Sequence, residues 1–191
     1  HGTPERRASY LADQGYALNI AEDPAAAEPV LREGLLELEK APDRNAGALA
    51  DLLSTMALSQ GRNGNPQSAL ETVQRALAYA TQSDGPEGVR VGQSHYALAE
   101  IEMRLGHFDK AEQHARRSIE ILRARTSENS PEVLAATGFL TEVLEQQGRY
   151  AEGEALLRQM LLARLKTLAP DSAWAITVRN NLAQAVQLQG R

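Results

Sequence analysis

A short motif that returns at a fixed distance decides the fold of this chain. Residues 106–111 read Gly-His-Phe-Asp-Lys-Ala, and residues 148–153 read Gly-Arg-Tyr-Ala-Glu-Gly. The next glycine in register is Gly190, and one step back from Gly106 lies Gly64, so that each step is 42 residues. A fixed period of this size predicts an array of stacked helical units, in which each unit touches only its neighbours.

One helix of each unit carries three columns of matched residues that lie four positions apart. The first column holds only small residues: Ala27, Ala69, Ala111 and Gly153. The other two columns are apolar: Leu31, Val73, Ala115 and Leu157, then Leu35, Leu77, Ile119 and Leu161. A spacing of four places all three columns on one helical face. The predicted helices span residues 25–40, 66–82, 108–125 and 150–168.

The other helix of each unit pairs a large column with a small one. The large column is Met56, Leu98, Leu140 and Leu182, and the small one is Ala57, Ala99, Thr141 and Ala183. These helices are predicted at residues 45–61, 88–105, 131–147 and 172–189. Residues 130–132, Ser-Pro-Glu, provide a helix cap, a first-turn proline and an acid. The repeat glycines are expected to end helices in a left-handed conformation.

The 42-residue register can be carried back to residue 22. We therefore divide the chain into a degenerate N-terminal helix at 1–21, four tandem units at 22–189, and the start of a further unit at 190–191. We also expect the chain to be a piece of a longer protein. Pro29 and Gly34 fall inside a predicted helix, so that helix is expected to begin near Glu28 or to be kinked.

Composition restricts the classes of function. Hydrophobic residues make up 42% of the chain and aromatic residues 4%, so the core must consist of Ala and Leu in closely packed helices. The net charge of -5 argues against a sequence-independent nucleic-acid binder. No cysteine is present, which excludes disulfides and thiolate metal sites. No apolar run is long enough to span a membrane. A cytoplasmic location is expected, with an extracytoplasmic part of a larger membrane protein as the alternative.

The repeat resembles the tetratricopeptide repeat (TPR). The motif Gly-x-Tyr/Phe-x-x-Ala after a Leu-Ala helix carries the resemblance, which covers residues 22–189. The 42-residue length and Asn-Asn-Leu-Ala at 180–183 resemble the kinesin light chain subtype, as do the inter-repeat links at 130–133 and 168–171. Four positions depart from the family pattern: Gln60, Glu102, Gly153, and Ala169, which stands where the inter-repeat link usually has glycine. The resemblance implies an all-α, right-handed α-solenoid of antiparallel helix pairs, with about nine helices.

The resemblance also implies a concave groove lined by the first helix of each unit. In this family the groove positions recur at spacings of three, four and three. Here they are Asp51, Ser54, Leu58 and Gly61; Gln93, Tyr96, Glu100 and Met103; Ala135, Gly138, Glu142 and Glu145; and Thr177, Asn180, Gln184 and Gln187. Four of these residues are acidic and none is basic, while Arg62 and Arg104 are expected only to flank the stripe. We therefore expect a protein or peptide partner of neutral to basic character.

Individual groove residues are assigned by their chemistry. Asn180 and Asn181 are expected to bridge the backbone of an extended peptide, because a carboxamide offers both a donor and an acceptor. Tyr96 and Met103 are expected to hold an apolar anchor. The alternative reading is that the groove acids are ordinary solvated charges and that Asn181 only packs.

A second resemblance leaves another function open. Residues 30–57 are similar to repeats found downstream of bacterial serine/threonine kinase domains, and the excess of arginine over lysine fits a GC-rich bacterial source. The chain itself has neither a Gly-rich loop before a strand nor a His-Arg-Asp motif. The first reading is a scaffold for protein–protein interaction. The alternative is a regulatory or sensor segment of a multidomain bacterial signalling protein.

No enzymatic activity, metal or cofactor is expected. His107 and His114 lie seven residues apart and His95 lies on another helix, so no helical i, i+4 metal pair is formed. The last helix, 172–189, has an apolar side that includes Ile176 and Leu182 and has no following helix to cover it. Solenoids need polar caps at their ends, so we expect self-association or disorder there.

Overall fold

The computed structural model describes residues 3–40, 45–128, 130–164 and 173–188. Within these ranges the chain forms nine α-helices and no strand, as the repeat predicts. The helices are α1 (Pro4–Ile20), α2 (Pro24–Glu39), α3 (Ala46–Arg62), α4 (Pro66–Asp84), α5 (Val89–Arg104), α6 (Phe108–Arg125), α7 (Pro131–Gln146), α8 (Tyr150–Arg164) and α9 (Ala173–Leu188). The predicted ends of α8 and α9 extend into residues 165–172 and 189, which lie outside the described ranges. The division into units at residue 22 stays a prediction.

The helices form two layers. Each helix packs against the next one along the chain, from α1 to α9. In addition, α1 packs on α3, α3 on α5, and α5 on α7. Helices α1, α3, α5 and α7 thus lie side by side and form one continuous wall, as expected for the inner layer of a solenoid.

Three repeat glycines end inner-wall helices in the same way. Gly64, Gly106 and Gly148 have φ angles of 85°, 78° and 74°. Around Gly106, the amide of His107 donates to the carbonyl of Glu102 at 2.9 Å, and the amide of Gly106 donates to that of Met103 at 3.0 Å. These two bonds make a Schellman motif. The predicted helix ends are therefore confirmed at these three glycines, whereas Gly190 lies outside the described residues.

The start of α7 follows its sequence signal. Ser130 Oγ accepts a hydrogen bond from the amide of Val133 at 3.3 Å, and Pro131 is the first helical residue. The predicted span of α2, 25–40, is confirmed to within one residue, because the helix is Pro24–Glu39. The alternative start near Glu28 was wrong, and a kink at Pro29 stays a prediction. Asp23 caps the helix by accepting from the Ala26 amide at 3.1 Å, which favours the earlier start.

The predicted apolar columns form the core. Ala27, Ala69 and Ala111 are fully buried, as are Leu31, Val73 and Ala115. The large-and-small pairs of the inner wall are buried as well: Met56 with Ala57, Leu98 with Ala99, and Leu140 with Thr141. In α9 the same columns are less covered, since Leu182 is half-buried and Ala183 is exposed. Ile176 is also exposed, and self-association through α9 stays a prediction.

The helices differ from membrane-spanning segments. Across the part of the chain that the structure describes, no helix combines the length and the apolar character that crossing a bilayer requires.

Candidate functional site: a groove along the inner wall

Two adjoining hollows run along the inner wall. The α3–α5 hollow has a volume of about 490 Å³ and is lined by Asp51, Ser54, Leu58, Arg90 and Gln93, among others. The α5–α7 hollow has a volume of about 550 Å³ and is lined by Arg62, Glu100, Met103, Arg104, Gly138 and Glu142, among others. Both include Tyr96, Pro131 and Ala135, so they form one continuous depression. We call the two hollows together the groove.

Most of the groove residues predicted from the sequence lie along this depression. Asp51, Ser54, Gln93, Tyr96, Glu100, Met103 and Glu142 line it, and Glu145 lies half-buried one turn further along α7. Asn180 is exposed on α9. The side chains of Thr177, Asn181 and Gln184 lie outside what the structure describes, so their roles stay predictions.

Glu100 was predicted as an acidic residue of the groove surface, but the structure buries its side chain. Its side chain is only 7% exposed and receives two hydrogen bonds from Arg62, Nε to Oε1 at 3.0 Å and Nη2 to Oε2 at 3.3 Å. Arg104 adds a third, Nη2 to Oε1 at 3.2 Å. Arg62 also donates to the backbone carbonyl of Asn19 at 3.2 Å, which ties α3 to both α1 and α5. The Glu100 charge is therefore already neutralised inside the wall.

Arg62 and Arg104 change the predicted charge of the groove, which was expected to contain no basic residue. They were expected only to flank it, but both line the α5–α7 hollow. Each is the last residue of an inner-wall helix, α3 for Arg62 and α5 for Arg104. From these ends their long side chains reach back over the preceding turn, because helical side chains point towards the N-terminus.

Asp51 is also paired. It accepts a hydrogen bond from Arg90 Nε at 2.9 Å, and Arg90 bonds Asp84 at 3.0 Å through Nη1. Burial raises the pKa of Asp51, while the Arg90 guanidinium opposes this shift. The charge of Asp51 is therefore only partly compensated, because Arg90 is shared with Asp84. Glu132, which also lines this hollow, forms no ion pair with another described residue.

Glu142 and Glu145 differ from the other two groove acids. Neither of them forms an ion pair with another described residue. Loss of solvent, followed by repulsion from Glu145 and Glu100, raises the pKa of Glu142, and desolvation raises the pKa of Glu145. These two carboxylates, together with Glu132 of the α3–α5 hollow, carry negative charge that has no ion-pair partner among the described residues.

The surface between the charges is apolar. Tyr96 packs edge-on against Phe139, with ring centroids 5.6 Å apart and planes at 66°. Burial, followed by repulsion from Glu100, raises the pKa of Tyr96 to about 12, so the phenol keeps its proton. At Gly138 an added Cβ would meet nothing within 4 Å, which leaves the floor of the hollow open. Met103 and Met160 line the same hollow.

Sequence reasoning missed one pair of side chains outside the groove. His95 of α5 and His114 of α6 stack with ring centroids 5.2 Å apart, and their Nδ1 atoms are 3.0 Å apart. The two residues are 19 positions apart, and only the turn between α5 and α6 brings them together. No cluster of three or more His, Cys, Asp or Glu side chains suited to a metal occurs among the described residues.

The fold has clear counterparts among solved structures. A Podosopora anserina protein described as a kinesin light chain with nearly identical TPR-like repeats matches with a TM-score of 0.81 and 19% identity, over 100% of this chain and 89% of that one. BtubC (BKLC) from P. vanneervenii matches with a TM-score of 0.75 and 19% identity, over 100% of this chain and 85% of that one. At this identity the likeness establishes the fold alone.

The sequence comparisons agree with this fold. No curated protein matches the chain at a significant level. The family model of the MalT-like TPR region matches residues 3–190. TPR arrays are typically non-catalytic scaffolds for protein–protein interaction, and the stacked units create extended concave binding surfaces. The fold resembles that of the kinesin light chain TPR-like repeats, and the chain belongs to the MalT-like TPR region family.

Proposed function

We propose that this protein is an interaction scaffold whose groove binds a peptide or a helix of a protein partner. The observation that carries the proposal is the continuous depression along α3, α5 and α7, in which apolar side chains alternate with charged ones. A binding site of this kind needs a desolvated apolar centre with a polar rim. Tyr96, Met103 and Phe139 supply the apolar centre, and Arg104 and Glu142 lie beside it.

The preference for a partner of neutral to basic net character is part of the proposal. Glu100 does not support it, because Arg62 and Arg104 neutralise its charge, and Asp51 supports it less, because it shares Arg90 with Asp84. Glu142 and Glu145 do support it, since their charges have no counter-ion among the described residues. The regulatory role in a multidomain signalling protein stays a prediction, since no described feature favours it over recruitment of a separate partner.

The proposal is tested by filling the groove. Random peptides displayed on phage are selected on the wild-type protein, and the enriched peptides are synthesised and titrated. Gly138→Leu places a side chain into the α5–α7 hollow, in a helix position where the structure has free space. Ala124→Leu is the matched control, because Ala124 is an exposed residue of α6 that lines a hollow outside the groove.

The proposal expects Gly138→Leu to weaken binding by about tenfold or more, and Ala124→Leu to leave it unchanged. Circular dichroism spectra and unfolding curves establish that both variants are folded. Peptides that bind both variants as well as the wild type would place the binding surface outside the groove and contradict the proposal.

A further inference from the structure

We propose that the α5–α7 hollow recognises a partner segment with an acidic side chain at one end, an apolar side chain in the middle and a basic side chain at the other end. The inference rests on the proposed function and specifies the chemistry of the partner. It follows from a guanidinium and a carboxylate that line the same hollow and have hydrogen-bonding capacity left for a partner.

The cationic end of the hollow is Arg104. Its side chain is 39% exposed, and it makes one hydrogen bond, to Glu100, among the described residues. A guanidinium carries five N–H donors, so most of them are available to a carboxylate of the partner. Arg62 already holds Glu100 through two bonds, so two guanidinium groups share one carboxylate. The local excess of positive charge favours an acidic side chain.

The anionic end of the hollow is Glu142 of α7, and Glu145 lies one turn further along the same helix. They lie three residues apart and therefore on the same face of the helix. Neither forms an ion pair with another described residue, and loss of solvent, followed by repulsion from Glu145 and Glu100, raises the pKa of Glu142. A lysine or arginine of the partner relieves this repulsion and gains two charge-assisted hydrogen bonds.

The same hollow also has an apolar part. Gly138 leaves the floor open, and Tyr96, Met103, Leu134 and Met160 form its sides. A large apolar side chain of the partner fills this space and excludes water from the flanking ion pairs. Exclusion of water strengthens the interaction between charges.

The two ends lie on adjacent helices. Arg104 belongs to α5 and Glu142 to α7, and these helices pack on each other. The acidic and the basic side chain of the partner therefore have to reach two neighbouring helices of the wall.

A segment with charges of only one sign fits the hollow poorly. A segment with only acids meets repulsion from Glu142 and Glu145, and one with only bases meets repulsion from Arg104. The described side chains lining this hollow carry balanced formal charges, with Arg62 and Arg104 opposite Glu100 and Glu142. The partner that matches this surface is a segment of mixed charge with an apolar centre.

The test combines changes in the protein with changes in the peptide. The probes are synthetic peptides taken from the phage selection, with their acid or their base replaced by Gln. The protein variants are Arg104→Gln and the pair Glu142→Gln with Glu145→Gln. Arg116→Gln is the control, because Arg116 of α6 also bonds a glutamate four residues earlier, Glu112, but does not line the groove.

We expect each change in the protein to weaken binding as much as the corresponding change in the peptide. Arg104→Gln and neutralisation of the peptide acid should each weaken binding by about tenfold, and the two together should weaken it no further. The Glu142→Gln, Glu145→Gln variant and neutralisation of the peptide base should likewise each weaken binding by about tenfold, with no further loss when they are combined. Arg116→Gln should change nothing.

Two results overturn the inference in distinguishable ways. If Gly138→Leu abolishes binding but neither charge change couples to the peptide, the groove binds peptides and only the charge pattern is wrong. If the enriched peptides bind Gly138→Leu normally, or if none is enriched, the proposed function fails together with the inference.

Discussion

Thr141 of α7 packs against Gly153 of α8, and the size of one residue matches the size of the other. A Cβ atom at position 153 would lie 3.1 Å from Cγ2 of Thr141, which is closer than packed side chains normally approach. In the preceding repeats both positions hold alanine: Ala57 and Ala69, then Ala99 and Ala111. The larger residue on one helix is thus accommodated by the smaller residue on the next. Both departures from the repeat pattern have one physical cause.

This relationship predicts coupled effects on stability. Gly153→Ala alone should destabilise the protein by about 1 kcal/mol, because the new methyl group crowds Thr141. In a Thr141→Ala background the same change should stabilise it by up to about 1 kcal/mol, since alanine favours a helix over glycine. Urea unfolding of the four proteins measures the coupling. Effects that add to within about 0.5 kcal/mol would show that the two residues are independent.

Glu22 predicts a stabilising substitution. It has a φ angle of 59° and occupies the position at which Gly64, Gly106 and Gly148 end the later inner-wall helices. The amide of Asp23 donates to the carbonyl of Leu18 at 2.9 Å, as in the later Schellman motifs. A left-handed conformation costs a non-glycine residue about 1–2 kcal/mol.

Glu22→Gly should therefore raise the free energy of unfolding by about 0.5–1 kcal/mol, once the extra chain entropy of glycine is subtracted. Gly106→Ala is the reverse change and should lower it by about 1 kcal/mol. Thermal unfolding compares both variants with the wild type. A lower melting temperature for Glu22→Gly would contradict this account.

Because Glu100 is buried, we expect its partner Arg62 to contribute more to stability than Arg117, which is similarly exposed. The side chains of Arg62 and Arg117 are 32% and 35% exposed, but Glu100 is 7% exposed whereas Glu87, a partner of Arg117, is 47% exposed. Arg62→Ala should cost about 2–3 kcal/mol, because it leaves a buried charge with less support. Arg117→Ala should cost less than about 1 kcal/mol.

Glu100→Gln provides the check on this mechanism. In the Arg62→Ala background it should recover part of the lost free energy of unfolding, since the uncompensated charge is removed. Equal costs for Arg62→Ala and Arg117→Ala, measured by urea unfolding, would mean that burial of Glu100 does not matter.

The histidine pair predicts a loss of stability in acid. Burial, followed by repulsion from His114 and Arg117, lowers the pKa of His95 to about 4, although Glu87 opposes the shift. Burial also lowers the pKa of His114, while Glu102 opposes this shift and Lys110 adds to it. Folding therefore favours the neutral imidazoles. Their contribution is complete above the unfolded pKa of about 6.5 and is lost as the pH falls towards 4.

His95→Gln tests this dependence on pH. Because His95 is partly exposed, the wild type should lose only about 1–2 kcal/mol more than the variant between pH 7 and pH 4.5. Urea unfolding at a series of pH values gives the comparison. Parallel curves for the two proteins would show that His95 does not contribute.

The repeating part of the fold could be predicted from the sequence because it depends on local rules. A residue every four positions defines a helical face, and a glycine every 42 positions ends a helix in a conformation that glycine adopts most easily. The buried columns, such as Leu31 with Val73, follow directly. The sequence offered two starts for α2, because Asp23 and Pro29 provide competing signals, and the structure has the earlier one.

The charges of the groove depended on contacts between helices. Arg62 and Glu100 are 38 residues apart, so the sequence does not show that they meet. A signal was nevertheless present, because Arg104 follows Glu100 by four residues and Arg62 precedes Arg104 by one repeat. His95 and His114 offered no such signal, since their contact depends on how α5 and α6 pack.

The measurement that tests the central claim most directly uses the three methionines as probes. Met103 and Met160 line the α5–α7 hollow, whereas Met56 is buried in a core cluster with Leu31 and Leu52. In protein with ¹³C-labelled methionine methyl groups, titration with a selected peptide should shift the Met103 and Met160 signals and leave Met56 unchanged. A peptide that binds without shifting either Met103 or Met160 would contradict a partner site in the groove.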